Sequence, residues 1–335
     1  MVVGMLQMQR AESVDFYRAF GVLHHIEEIT RLYEIPNKGT KWTKYFQVLD
    51  VLFIDRRFVA ECKELIKAAK SHGIKIWIDL DDDLFNIPPY HDALYVIGAP
   101  NVQEAIKEAI SAADIVTVTT QALRKLYGDL NKNTTVIPNA WNDYAFDKMP
   151  TPMDRSRKPR IAWRGSNTHR RDIFEVHQPV NKFIDKFAWS FYGMMPDCIE
   201  PNVMHVPFQD LQVFFSTFAR NAPDYVLIPL SPGLFNQAKS NIAWMEAAVL
   251  AGACAIAPAG FDEFAKPGVI QYSGTNGLGQ VFANIQANKY DRPALVRASQ
   301  EYIRANLRLS EVNQMRVNIL NTLVAETKKP ELATT

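Results

Sequence analysis

The sequence predicts an α/β protein of two doubly wound domains, each built on a mostly parallel sheet. Three observations lead there. Short apolar runs alternate with amphipathic helical stretches along most of the chain, and runs that are apolar on both faces suit strands buried in a parallel sheet. A stretch with three prolines, many charges and no hydrophobic period, 140–159, divides the series in two. The 335 residues, 47% hydrophobic and 22% charged, are many for one core and ordinary for two globular domains.

The elements follow in order. "MVVGML" opens as a strand. Apolar spacing through Phe16, Phe20, Leu23 and Ile26 predicts a helical region over 13–35. "VLDVLFID" (48–55) is a strand, 57–73 an amphipathic helix stopped by Gly73, and "IKIWIDLDDD" (74–83) a strand that runs into acid. A helix over 101–113, the strand "DIVTVTT", a short helix and the strand "TTVIPN" (134–139) complete a first domain, 1–145. After a linker, 146–159, the second domain begins with the strand "RIAWRGS" and a helical stretch bent at Pro179. The strands "WSFYG" and "MHVPF", a helix over 210–221, and the strands "YVLIPL", "ACAIAP" and "VIQY" follow, and helices over 291–307 and 310–327 close the chain.

Composition excludes several classes. A formal net charge of +1 gives no global pull toward nucleic acid or membrane. No run of about eighteen apolar residues could span a bilayer, and the N-terminus lacks the basic segment of a signal peptide. Cys62, Cys198 and Cys254 are odd in number and widely spaced. They read as reduced thiols of a cytoplasmic protein, with neither a disulfide framework nor a zinc site.

Two segments carry candidate chemistry. "FNQAKSNIAWMEAAVLAGACAIAP" (235–258) places Lys239, Ser240 and Asn241 at a helix entrance, where free backbone N–H groups attract anions. Glu246 follows about two turns on, a carboxylate in an otherwise apolar helix, suited to accepting ribose hydroxyls. The plainer reading is a capped helix with one solvated Glu. "RIAWRGSNTHRRDI" (160–173) leads a strand into Arg164, Gly165 and Ser166, then His169, Arg170 and Arg171. Glycine permits close approach of backbone to ligand, and arginine can grip phosphate with two parallel bonds. The plainer reading here is a solvated basic loop.

These two segments, together with "TTVIPNAWN", resemble the retaining GT-B glycosyltransferases of the family 4 type, of the kind found in tailed phages and bacterial surface-glycan loci. The similarity in order and spacing covers most of the chain. It implies two Rossmann-like domains facing a cleft, a nucleotide-sugar-binding domain at 160–308, and a last helix, 309–328, that returns to the first domain. It implies a nucleotide-sugar donor, UDP-linked by preference, held mainly by the second domain. Arg164 and Lys239 would hold the diphosphate and stabilise it as leaving group. Glu246 would take the ribose, while Gly165, Ser166, His169, Asn236, Ser240 and Asn241 line the donor site. The family's second Glu, eight residues before the ribose Glu, is Ala238 here, so sugar contacts fall to Asn236, Gln237 or backbone.

"IDLDDDLFNIPPYHDA" (78–93) sets Asp79, Asp81, Asp82 and Asp83 at a strand end. Clustered carboxylates repel, so something must compensate. Either Asp81 and Asp83 hold Mg²⁺ or Mn²⁺, or the aspartates cap the next turn and meet arginines. An intermediate reading gives Asp81 and Asp82 a catalytic place in the cleft, with Asp83, His91 and Arg18 on the acceptor side. No nucleophile with supporting partners stands out, so transfer with retention would proceed on the front face, without an obligatory metal. The acceptor is either a hydroxymethylated base in DNA, with Lys38, Lys41, Lys44, Arg56 and Arg57 as a basic rim, or a glycan or lipid-linked sugar. A sugar-nucleotide epimerase of the same fold, a dinucleotide-dependent oxidoreductase and a non-catalytic binding module are the competing classes.

Overall fold

The computed structural model describes residues 1–6, 12–36, 42–152 and 157–325. Over these the chain forms two compact units, one of Met1–Ile87, Ala93–Ala140 and the segment from Leu309, the other of Pro88–Asp92 and Trp141–Arg308. Each holds a six-stranded parallel sheet.

The first sheet runs in the order β2-β1-β3-β4-β5-β6, from β1 (Val2–Leu6), β2 (Arg31–Ile35), β3 (Val51–Asp55), β4 (Lys75–Leu80), β5 (Ile115–Val118) and β6 (Thr134–Val136). All residues of β3 are buried, as an apolar run covered on both faces requires. The helical region predicted over 13–35 is corrected. Helices Ser13–Arg18 and Phe20–Leu23 end early, and β2 pairs with β1 from Val2↔Arg31 to Leu6↔Ile35. An edge strand pairs on one side only, so charged Arg31 and Glu34 are tolerated there and hide the strand pattern. The C-terminal helix Leu309–Ala325 belongs to this unit and buries Val312, Val317, Leu320 and Leu323 beside Val22 and Leu23.

The second sheet runs β12-β11-β10-β7-β8-β9, from β7 (Arg160–Gly165), β8 (Ala188–Gly193), β9 (Met204–Val206), β10 (Tyr225–Leu227), β11 (Cys254–Pro258) and β12 (Ile270–Tyr272). Its core is aromatic, with Trp163, Phe183, Phe187, Trp189, Phe191 and Phe282 in one cluster. The predicted bend near Pro179 falls at Val176, between helices Arg170–Glu175 and His177–Lys182. The proline ring clashes with the carbonyl four residues earlier, so the break precedes it. Of the expected linker 146–159, the described residues 146–152 and 157–159 count with this unit. Phe146 packs on Phe215 and Gln300 Nε2 donates to the Pro150 carbonyl.

The 235–258 segment is not one helix. Leu234–Gln237 makes a short turn of helix, Ile242–Glu246 a second, and Ala247–Ala251 a wider π turn ended by Gly252 at φ 60°. That left-handed residue is the ordinary helix stop, open to glycine without strain.

Candidate functional site

In the second unit the strand order reverses between β7 and β10, the position where open α/β sheets bind ligands beyond their strand ends. The candidate donor residues lie on the loops that leave this point. Arg164 and Gly165 end β7. Ser166 caps the turn Asn167–His169, its Oγ accepting from the Thr168 N–H. A cavity of about 330 Å³ opens here, lined by Ser166, Asn167, Thr168, Gly193, Met194 and Phe208. Phe208 is 75% exposed, an aromatic ring with little to cover it.

Arg164 Nε lies 2.7 Å from Glu246 Oε2, and Glu246 is only 3% exposed. The charges touch, but the N–H is not aimed at the oxygen, so the ion pair is not a hydrogen bond. The residues expected to take diphosphate and ribose separately are thus in contact. Lys239 Nζ stands 4.3 Å from the centre of the Phe235 ring. The same ring receives His91, at 5.1 Å between centroids. Expected on the acceptor side, His91 is buried and counts with the second unit. Asn241 donates to Glu263 Oε2 at 2.9 Å, and burial pushes the Glu263 carboxyl up. Ser240 is half-buried, between the helices Leu234–Gln237 and Ile242–Glu246.

Asn236 donates through Nδ2 to Asp172 Oδ1 and to the Ser231 carbonyl. His169 Nδ1 lies 2.9 Å from Asp172 Oδ2. Arg170 and Arg171 form surface pairs with Asp197 and Glu175. Gly165 has a packing reason beside the expected one, since a Cβ there would come within 2.5 Å of the Trp163 ring.

In the first unit, Arg18 was expected to face the acceptor. It is 1% exposed instead, gripping both oxygens of Asp79 at 2.9 and 2.7 Å and donating to the Ile137 carbonyl. Its guanidinium is committed to partners within the protein rather than turned to an acceptor. Asp81 pairs with Arg56, and that charge pushes the Arg56 guanidinium up. Asp82 accepts from the Asp83 N–H through Oδ1. Asp83 is 2% exposed and turned inward, accepting from the N–H groups of Phe85 and Asn86 and from Asn86 Nδ2. The repulsion expected at 79–83 is therefore met by Arg18, Arg56 and turn N–H groups. Asp83 presents no carboxylate to a divalent ion shared with Asp81, and among the described residues no cluster of three or more His, Cys, Asp or Glu could hold a metal.

Of the expected basic rim, Lys38 and Lys41 lie outside the described residues. Lys44 stacks on Tyr45. Arg57 pairs with Asp55, Asp15 and Glu12, where burial pushes the Asp15 carboxyl up. No helix of the described residues is long and apolar enough to cross a membrane.

Sequence reading missed Asp172, Glu263, Phe235 and Phe208. Asp172 left a signal, because a carboxylate three residues after His169 shares its helical face. Glu263 left none, since its partner is 22 positions away.

No family model matches the sequence, and no curated protein matches it. Solved structures do resemble it. Anabaena HepE in complex with UDP-glucose superposes with a TM-score of 0.66 at 14% identity, covering 96% of this chain and all of that one. The lipopolysaccharide outer core galactosyltransferase WaaB matches with a TM-score of 0.62 at 13% identity, over 95% and 99%. An α-glucosyltransferase in complex with UDP and a 13-mer DNA containing an HMU base matches with 0.63 at 9% identity, over 96% and 99%. At such identities the likeness establishes the fold, which is GT-B.

Proposed function

We propose that this chain is a glycosyltransferase that moves a sugar from a nucleoside diphosphate, UDP by preference, to a hydroxyl acceptor. The observation that carries the reading is the contact between Arg164 and Glu246 beside the switch point, with Lys239 on the neighbouring loop. Lys239 brings the net positive charge to the diphosphate as the bond to the sugar breaks, Arg164 adds guanidinium donors while paired with Glu246, and Glu246 accepts from the ribose. Charge already in place where charge develops is commonly the largest part of catalysis. The cavity beside Ser166 takes the base, against the face of Phe208. These two cations make an obligatory metal unnecessary, and retention follows the resemblance to family 4. The enzyme works in the cytoplasm, that of the bacterial host if a phage encodes it.

For the acceptor, the likeness to an α-glucosyltransferase bound to HMU-containing DNA supports a hydroxymethylated base. A glycan or lipid-linked sugar is the second reading. It is favoured by the neutralisation of Arg56 and Arg57 by neighbouring acids, which removes two of the cations a DNA backbone would need.

The test is nucleotide release from a panel of nucleotide sugars, with and without hydroxymethylated DNA. Release that requires the DNA, with a mass gain on the base, supports the first acceptor. Release indifferent to DNA and raised by glycans supports the second. A sugar changed without nucleotide release identifies an epimerase. No release and no change with any donor overturns the reading.

A further inference from the structure

One carboxylate ties together the two loops that border the switch point of the second sheet. Asp172 is 3% exposed, in the first turn of helix Arg170–Glu175. Its Oδ2 lies 2.9 Å from His169 Nδ1, on the β7 side. Its Oδ1 accepts at 2.8 Å from the Ser231 N–H and at 2.8 Å from Asn236 Nδ2, both on the β10 side.

We infer that Asp172 is a positioning residue that presents His169 Nε2 and Asn236 Oδ1 to the hydroxyls of the donor's sugar. The inference deepens the donor-site reading above and rests on it. A carboxylate only accepts, so the ring hydrogen facing it is on Nδ1 of His169, and Nε2 is the ring atom left for a ligand. Asn236 uses both amide hydrogens, on Asp172 and on the Ser231 carbonyl, which fixes the orientation of its amide. Its Oδ1 is left to accept, the property needed to take a sugar hydroxyl where Ala238 supplies no carboxylate. Shared support by one buried group means that His169 and Asn236 move together. Such outer supports commonly matter nearly as much as the groups they hold.

Asp172→Asn keeps the shape and reverses the chemistry. The new amide offers at most one acceptor to three neighbours, so the Asn236 amide is free to turn and present N–H where Oδ1 stood. With wild type shown by calorimetry to bind UDP and by assay to release it from a nucleotide sugar, D172N loses about 10- to 100-fold in kcat/KM, the scale of one or two misplaced hydrogen bonds to a charged group. UDP affinity falls less than threefold or so, because the sugar contact is absent from UDP. Unchanged kcat/KM in folded D172N overturns the inference.

A second experiment does not need that variant to fold. His169→Gln and Asn236→Ser are combined in a double-mutant cycle. The two residues are joined through Asp172, so their losses combine short of additivity by threefold or more, on the scale of about 0.7 kcal/mol. Additive losses overturn the inference. A wild type that binds no UDP and turns over no donor overturns the donor-site reading and this inference with it, whereas a wild type that does both leaves a failed cycle to count against Asp172 alone.

Discussion

Arg164, near the end of β7, and Glu246, the last residue of the helix Ile242–Glu246, form an ion pair at 2.7 Å whose acid is buried and whose base is 29% exposed. Such a pair is asymmetric. Removing Glu246 leaves an arginine that water can still reach. Removing Arg164 takes away a positive charge that lies 2.7 Å from a buried carboxylate.

Arg164→Ala is therefore expected to destabilise the second unit by about 3 kcal/mol, the low end for breaking a buried pair, since Arg164 is partly solvated. Adding Glu246→Gln should recover most of that loss. Urea unfolding of both variants checks it, and R164A unfolding at the wild-type midpoint would remove the pair from the stability argument.

Lys239→Ala should lower kcat by roughly 10²–10³-fold, the scale of removing one preorganised charge from a developing anion. Lys239 is half-buried and packs on Phe235, so the unfolding free energy should change by less than about 1 kcal/mol. Wild-type turnover in this variant would take Lys239 out of the mechanism.

The first unit holds a buried arginine in excess. Arg18 occupies Asp79, while Arg316 donates to Asn313 Oδ1 and its Nη2 has no hydrogen-bond partner among the described residues. Burial and the Arg18 charge push the Arg316 guanidinium down to about 9. Asp79→Asn should cost at least ~3–5 kcal/mol, because Arg18 is left buried without its counter-charge. Arg316→Met should be neutral or stabilising by about 1 kcal/mol, since a similar volume returns without the unpaired charge. Chemical denaturation separates the two, and a large loss in R316M would show that Arg316 is needed where it stands.

Burial pushes the thiols of Cys62 and Cys254 up to about 12, from 9.0. Below 9 both states carry the proton and pH has no leverage through these groups. Between 9 and about 12 the unfolded chain releases protons that the folded chain keeps, so the folded state loses stability as pH rises. Unfolding free energy should decline through that window, and Cys62→Ala/Cys254→Ala should decline less. At pH 8 both thiols should resist a thiol reagent until the protein is unfolded. Rapid labelling of two buried cysteines in the native protein would contradict this.

Ala222 ends the helix Leu211–Asn221 at φ 44°, left-handed, with its N–H donating to the Phe218 and Ala219 carbonyls. A Cβ is strained in that region, and glycine is not. Ala222→Gly should stabilise the protein by about 0.5–1 kcal/mol, less what glycine's greater freedom costs in the unfolded chain. A thermal midpoint below wild type would count against it.

Much of the fold was legible because its signals are local. A strand buried on both faces is mostly apolar, so β3, β4, β5, β7, β10 and β11 all read from their own residues. β2 did not, because its place at the sheet edge lets it carry Arg31 and Glu34. In the candidate site, the sequence singled out Arg164, His169 and Lys239 as cations suited to phosphate and Glu246 as a carboxylate suited to ribose, whereas Asn236 came only through the family resemblance; the strands before them end at one side of one sheet.

The sequence by itself determined the α/β class, the order of most strands and the residue types on the loops, since each depends on neighbours along the chain. Tertiary structure alone decided the partners. It gave Asp79 to Arg18, Glu246 to Arg164, Glu263 to Asn241, and the space beside Gly165 to Trp163. It also made Asp172, one acid among many in the sequence, the common support of His169 and Asn236. A charge buried in a protein takes its energy from whichever opposite charge or hydrogen bond the fold brings within reach, and that distance has no period in the sequence.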